Sequence, residues 1–331
     1  MDNHLRTNTH RRMKALENLL DKVNCLFKEV EFREISQMTK PKLPALFIVG
    51  NPRSGTTLLY QWLAASGLFA YPSNIMSRFY NAPYIGALIH KIFVDYDEHG
   101  ELCKNEKLEF ISHLGKTKGA NSPHEFWYFW RRFFHFKGIQ QLNKEELAKV
   151  NHDLFLKELA AIENCFKKPL LLKALIMNWN IDYLNYILQK PLFLFIKRND
   201  IHNMASLYNA RKIFFNNPRR WYSFKPPEYE ILKTKNVYMQ LAGQVFFTNK
   251  HIEKTLQSIQ PERSIVISYE KFCKAPEKQY ELIIAQLRLQ GYETDQAYTG
   301  PKSFKASSNF DSEFNVAKAE EALSCMQTLK N

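Results

Sequence analysis

The run Gly50-Asn-Pro-Arg-Ser-Gly-Thr-Thr57 carries the most informative chemistry in this chain. Gly50, Gly55 and the hydroxyl of Thr57 match the spacing of the phosphate-binding loop G-x-x-x-x-G-K-[ST]. The lysine position holds Thr56, and the only cation in the loop is Arg53. A lysine there would reach the outer phosphates of a nucleoside triphosphate, so threonine removes the main cation for a triphosphate with magnesium. Arg53 lies earlier, in the turn itself. Its planar fork suits a phosphoryl or sulfuryl group at the end of a shorter anion. The N–H groups of Ser54, Gly55, Thr56 and Thr57, with three hydroxyls, supply further donors.

Such a loop works only between a buried strand and a helix. The apolar run 43–50 reads as that strand, and 56–67 has helical periodicity ending at Gly67. Runs 168–175, 191–198 and 263–270 read as further strands. Helices are predicted over 11–36, 82–94, 104–114, 126–134, 144–166, 180–189, 199–214, 236–259, 275–289 and 314–329. The segment 291–310 reads as a basic loop. Alternating strands and helices predict an α/β fold: a single P-loop-like domain with a central parallel β-sheet flanked by helices on both faces. That domain is expected over 41–331, after an N-terminal helical extension over 1–40. In such sheets ligands bind beyond the carboxyl ends of the strands.

Composition narrows the partners. Forty-six Lys and Arg against 33 Asp and Glu give a net charge of +13, which favours an anionic ligand. The cations are scattered, so a nucleic-acid partner is not expected. Five widely spaced cysteines without a C-x-x-C pair suggest neither a disulfide framework nor a zinc site, and a reducing, cytoplasmic setting is expected. The N-terminus is too polar for a signal peptide, and no apolar run is long enough to span a membrane.

The loop Gly50–Leu59 resembles the 5′-phosphosulfate loop of the sulfotransferases that use 3′-phosphoadenosine 5′-phosphosulfate (PAPS). Its arginine form is similar to bacterial, carbohydrate and tyrosyl-protein members. The resemblance implies a second motif for the 3′-phosphate, an arginine ending a later strand with a serine eight residues on. Arg198 and Ser206 stand at that separation. Tyr269, in "VISYE", matches a tyrosine near the adenine, and Lys302 and Lys305 fall in a late basic loop expected over the 3′-phosphate. The likeness spans roughly residues 44–290. It implies PAPS as co-substrate, no metal, and a hydroxyl-bearing acceptor, carbohydrate-containing on subfamily likeness.

Sulfuryl transfer to an alcohol needs a base for the hydroxyl proton and cations for the charge on the bridging oxygen. Cytosolic relatives carry both in a K-T-H-x-P segment. Here Lys173 is present, but Leu175 stands in the histidine position. The base must lie elsewhere, with Glu125 and His124 foremost and Glu109, His113 and His90 behind them. Glu125 also fits a helix-capping box with Ser122 as N-cap and Pro123 at the first helical position. A kinase-like NTP-dependent phosphotransferase and a non-catalytic nucleotide-binding protein are the rival readings. The stripe Phe126, Phe129, Trp130, Phe133 and Phe134 is expected in the core.

Overall fold

The protein is described from a computed structural model covering residues 3–103, 108–307 and 310–328. The chain runs α1 (Lys14–Glu34), β1 (Ala45–Gly50), α2 (Thr56–Ala65), α3 (Pro83–His90), β2 (Ser112–His113) and β3 (Lys116–Thr117). It continues through α4 (Trp127–Phe133), α5 (Lys144–Ala148), α6 (His152–Phe166), β4 (Leu170–Lys173), α7 (Ile181–Ile187), β5 (Pro191–Lys197) and α8 (Asp200–Phe215). The last elements are α9 (Tyr229–Leu232), α10 (Val237–Gln257), β6 (Ser264–Ser268), α11 (Tyr269–Lys274), α12 (Pro276–Leu289) and α13 (Val316–Thr328).

Four parallel strands form the main sheet in the order β4-β1-β5-β6. Strands β1, β4 and β5 are apolar because both faces of the sheet are covered there, whereas edge strand β6 leaves Val266 exposed. On one face Leu46, Ile48, Leu194 and Ile196 meet Leu59 and Leu63 of α2 and Ile283 and Leu287 of α12. On the other, Phe47 and Phe193 pack with Phe129 and Trp130 of α4, Phe155 of α6 and Ile252 of α10. The predicted aromatic stripe is therefore core. Helices α8, α10 and α13 share a third cluster around Leu207, Leu241 and Ala319. After β1 the chain works toward β4, whereas after β5 it works toward β6. The crevice between the ends of β1 and β5 is thus the switch point where α/β sheets bind ligands.

Three local readings need correction. Predicted helix 104–114 is not one where it is described: 104–107 lie outside the described residues, and 112–117 form the β2–β3 hairpin around Leu114-Gly115. The amide of Gln61 fastens the approach to it by donating to the carbonyls of Glu109 and Ile111 at 2.7 and 2.9 Å. Predicted helix 144–166 is two helices, because Asn151 caps the second by accepting from the N–H of Leu154. The capping box at Ser122 and Glu125 does not form. The N–H of His124 donates to Pro72 O at 2.8 Å, which holds the segment extended, and α4 starts only at Trp127. Glu125 is thereby released from capping.

Helix α1 docks through buried polar groups. Asn24 donates to Arg78 O and accepts from the N–H of Asn81, both at 2.7 Å. Glu31 accepts from the N–H groups of Tyr84 and Ile85 at the start of α3. Burial pushes the Glu31 carboxyl up to about 7, against the pull of those two donors.

Asn178, in the turn region after β4, pins the end of β1. Fully buried Asn178 accepts from Gly50 N–H at 3.2 Å and donates to Gly50 O at 2.9 Å. Asn178→Ala leaves both backbone groups without their partner. The expected loss is about 1–3 kcal/mol of stability, measured by urea unfolding.

Candidate functional site

The loop after β1 sits in a cradle of hydrogen bonds that the fold supplies. Asn51 donates to Val245 O at 3.1 Å and to Asn249 Oδ1 at 2.6 Å. Asn203 of α8 donates to Pro52 O at 2.8 Å. Arg53 adopts a positive φ of 68°, a conformation that a bulky residue holds only when its surroundings impose it. Ser54 is committed inward: its N–H and its hydroxyl both donate to Asn51 O, at 3.2 and 2.8 Å. Of the four predicted N–H donors, those of Gly55, Thr56 and Thr57 remain, at the N-terminus of α2. Gly55 has φ 100°, and a Cβ there would lie 2.2 Å from Cδ2 of Tyr269. Only glycine lets the Tyr269 ring press against this turn.

The second predicted pair comes to the same place. Because β5 lies beside β1 with Ile196 opposite Gly50, Arg198 emerges next to the loop. Its Nη1 donates to Arg53 O at 3.0 Å, and its guanidinium lies 4.9 Å from the centre of the Tyr269 ring. Arg53 Nε donates to Ser206 Oγ at 3.3 Å. Arg53, Arg198, Ser206 and Tyr269 therefore form one cluster. Burial lowers the Arg198 pKa, with Arg53 adding to the effect and Tyr269 opposing it. A second arginine beside a buried arginine makes the crevice strongly electropositive.

The late loop closes over this cluster through its backbone. Ser307 O accepts from Arg198 Nη2, and Ser307 N–H donates to Tyr269 Oη at 3.2 Å. Phe304 N–H donates to Cys273 O at 2.7 Å. Lys302 and Lys305 are exposed on that loop.

A second group of side chains abuts Thr57. On the other side of β1, Lys173 ends β4 in register with Ile48. Its Nζ donates to Thr57 Oγ1 at 2.7 Å and to Glu125 Oε1 at 2.5 Å. The Lys173 side chain is 3% exposed and that of Glu125 is 18% exposed. Burial lowers the Lys173 pKa, and Glu125 pulls it back up. A carboxylate, an ammonium and a hydroxyl thus stand in line at the mouth of the anion loop. The carboxylate can take a proton, and the ammonium can hold developing negative charge.

The other base candidates separate. His124 Nδ1 accepts from Phe126 N–H at 2.9 Å, so the ring serves the chain bend rather than lying exposed on a first helical turn. Burial pushes His124 down to about 4, with Glu125 opposing and Arg78 and Lys173 assisting. His90 bonds Ser73 Oγ at 2.8 Å and, with Asp95, lines a cavity of about 740 Å³ at the far end of α2. His113 stacks on His10 with ring centres 5.4 Å apart. Glu109 enters through its backbone carbonyl, to Gln61.

Sequence reasoning missed two residues here. Tyr222 donates to Leu114 O at 3.2 Å, and a Cβ on Gly115 would lie 3.2 Å from Glu125 Oε1. A glycine between short polar pairs is a hairpin signal that points to Gly115. Nothing in the sequence near Tyr222 marks it.

A parallel sheet with a glycine-framed anion loop at its switch point defines the P-loop-like α/β class. Within that class the chain belongs to the sulfotransferase family, whose sequence model matches residues 44–294. Its fold is similar to that of sulfotransferase STF9 from Mycobacterium avium, with 12% identity, 98% of this chain and 86% of that one covered, and a TM-score of 0.55. It is similar to that of sulfotransferase STF1 from Mycobacterium tuberculosis H37Rv at 13% identity, with 91% and 82% covered and a TM-score of 0.54. No curated protein matches the chain in sequence. No helix among the described residues is long and apolar enough to cross a membrane.

His124 gives a pH test. Its folded pKa is depressed from 6.5 to about 4, so the neutral ring is what the fold stabilises. The contribution is complete above pH 6.5 and is lost as pH falls toward 4. His124→Gln is expected to flatten the stability profile across that window in urea unfolding at stepped pH.

Proposed function

We propose that this sulfotransferase moves the sulfuryl group of PAPS to an acceptor hydroxyl and releases adenosine 3′,5′-bisphosphate. The observation that carries the reading is the line Thr57–Lys173–Glu125, which places a buried cation and a carboxylate at the mouth of the anion loop. Arg53 and the N–H groups of Gly55, Thr56 and Thr57 hold the 5′-phosphosulfate, with Ser54 bracing the turn. Arg198 and Ser206 hold the 3′-phosphate. Tyr269 borders the nucleoside, and Lys302 and Lys305 add positive charge from the loop above.

In this mechanism the acceptor oxygen approaches sulfur on the side away from the leaving phosphate. Glu125 takes the hydroxyl proton as the new S–O bond forms. The bond between sulfur and the bridging oxygen breaks, and the bridging oxygen carries the released charge. Lys173 and Arg53 stabilise that charge, the role for which a buried, preorganised cation is most effective. His124 orders the bend that presents Glu125 and takes no proton. A carbohydrate-containing acceptor is the class to test first. Residues 1–40 act as an extension that braces the domain over 41–331.

Turnover tests both assignments. The protein is incubated with PAPS and a panel of sugars, phenols, lipids and peptides, with released adenosine 3′,5′-bisphosphate and acceptor sulfate gain read by mass spectrometry. Arg53→Ala is expected to lower the rate by at least about 10²-fold, the scale for one positioned charge-stabilising donor. Glu125→Gln is expected to fold and to lose turnover by a similar or larger factor. A near-normal rate in Glu125→Gln would remove Glu125 as the base.

A further inference from the structure

The tip of the β2–β3 hairpin lies against Glu125, Thr57 and Lys173. Leu114 and Gly115 form a two-residue turn with φ of 49° and 87°, the left-handed pair that tight hairpins require. A Cβ at Gly115 would stand 3.2 Å from Glu125 Oε1, 3.7 Å from Thr57 Oγ1 and 3.8 Å from Lys173 Nζ. The bare Cα therefore forms the wall immediately beside the carboxylate. Leucine at a positive φ is disfavoured, so something must hold the turn in place.

Tyr222 is that hold. Its hydroxyl donates to Leu114 O at 3.2 Å across 108 positions of sequence. Its backbone is fixed in turn, since Tyr222 O accepts from Gln244 Nε2 at 2.9 Å. The Tyr222 ring meets Phe214 edge-on, and His10 bridges from Phe214 to His113 on the hairpin itself. A chain of rings thus braces the hairpin from behind. Burial raises the phenol to about 12, with Arg53 opposing the rise and Glu125 adding to it, so the hydroxyl stays a donor.

We propose that the Leu114–Gly115 turn is the acceptor gate, with Gly115 setting the width of the group admitted to Glu125 and Tyr222 acting as the positioning residue that holds the turn. A hydroxyl on an unbranched carbon fits beside the bare Cα, and one crowded by branches meets the turn. The gate rests on the reading of Glu125 and Lys173 as the reacting pair.

Lys173 is the natural probe, because its amine lies at the gate. Wild type, Gly115→Ala and Tyr222→Phe are labelled with acetic anhydride and, separately, with bulkier trinitrobenzenesulfonate. Peptide mass spectrometry times Lys173 modification, with exposed Lys149 as internal reference. In Gly115→Ala the bulky reagent is expected to slow at Lys173 by about tenfold and acetylation by less than about twofold, as an added methyl narrows a tight passage. In Tyr222→Phe both reagents are expected to react about threefold faster at Lys173 while Lys149 is unchanged, since only a local opening has become easier. A wild-type ratio of the two rates in Gly115→Ala, or undiminished protection in Tyr222→Phe, overturns the gate. Should Gly115→Ala fail to fold at its positive φ, the wild-type protein decides the width by itself: relative to Lys149, trinitrobenzenesulfonate must lag acetic anhydride at Lys173 by at least about tenfold, and equal relative rates overturn the gate. The labelling needs no turnover, so a parallel titration with adenosine 3′,5′-bisphosphate separates the two ideas. Failure to bind it would overturn the donor assignment and leave the gate result standing.

Discussion

The buried ammonium of Lys173 is the constraint around which this site is arranged. A lone lysine amine in this position would be costly, because burial removes its hydration. Glu125 on one side and Thr57 on the other make it tolerable. That demand reaches far into the fold. Strand β4 must keep its register with β1 so that Lys173 arrives level with the loop. The segment before α4 must stay out of the helix, pinned to Pro72 through His124 and turned at Phe126, so that Glu125 reaches inward rather than capping α4. Helix α2 must begin at Thr56, so that Thr57 faces the amine.

The same crevice answers what an anion loop can hold without its lysine. Positive charge is not missing here; it has moved. Arg53 lies in the turn, Arg198 at the end of the neighbouring strand, and Lys173 across the loop from both. On the proposed reading, this arrangement suits a compact anion approached from several sides rather than the tail of a triphosphate. The N-terminal end of α2 adds to the same field.

Much of this was legible in the sequence because it rests on local rules. Buried parallel strands are continuous apolar runs, and Gly50 and Gly55 follow the run that becomes β1, whereas Arg198 and Ser206 were pointed to by the family resemblance rather than by local pattern. The pairing of Lys173 with Glu125 was not legible, because 48 residues separate them and two tertiary contacts join them: the β4 register that places Lys173 and the bond to Pro72 that places Glu125. The capping-box pattern at Ser122 to Glu125 pointed the wrong way for the same reason: a contact with Pro72 outweighed a local preference worth about 1 kcal/mol. The hairpin at Leu114-Gly115 was hidden inside an apparent helix, since its strands are two residues long and the single glycine is the one signal that marks it. Tyr222 was out of reach altogether, as its role exists only through Leu114.

Calorimetric titration of the purified protein with adenosine 3′,5′-bisphosphate, and separately with ATP and magnesium, puts the whole account at risk. It predicts that the bisphosphate binds with a Kd on the order of micromolar, near −8 kcal/mol, and that ATP with magnesium binds at least about tenfold more weakly. Tight binding of ATP with magnesium and no heat from the bisphosphate would contradict it.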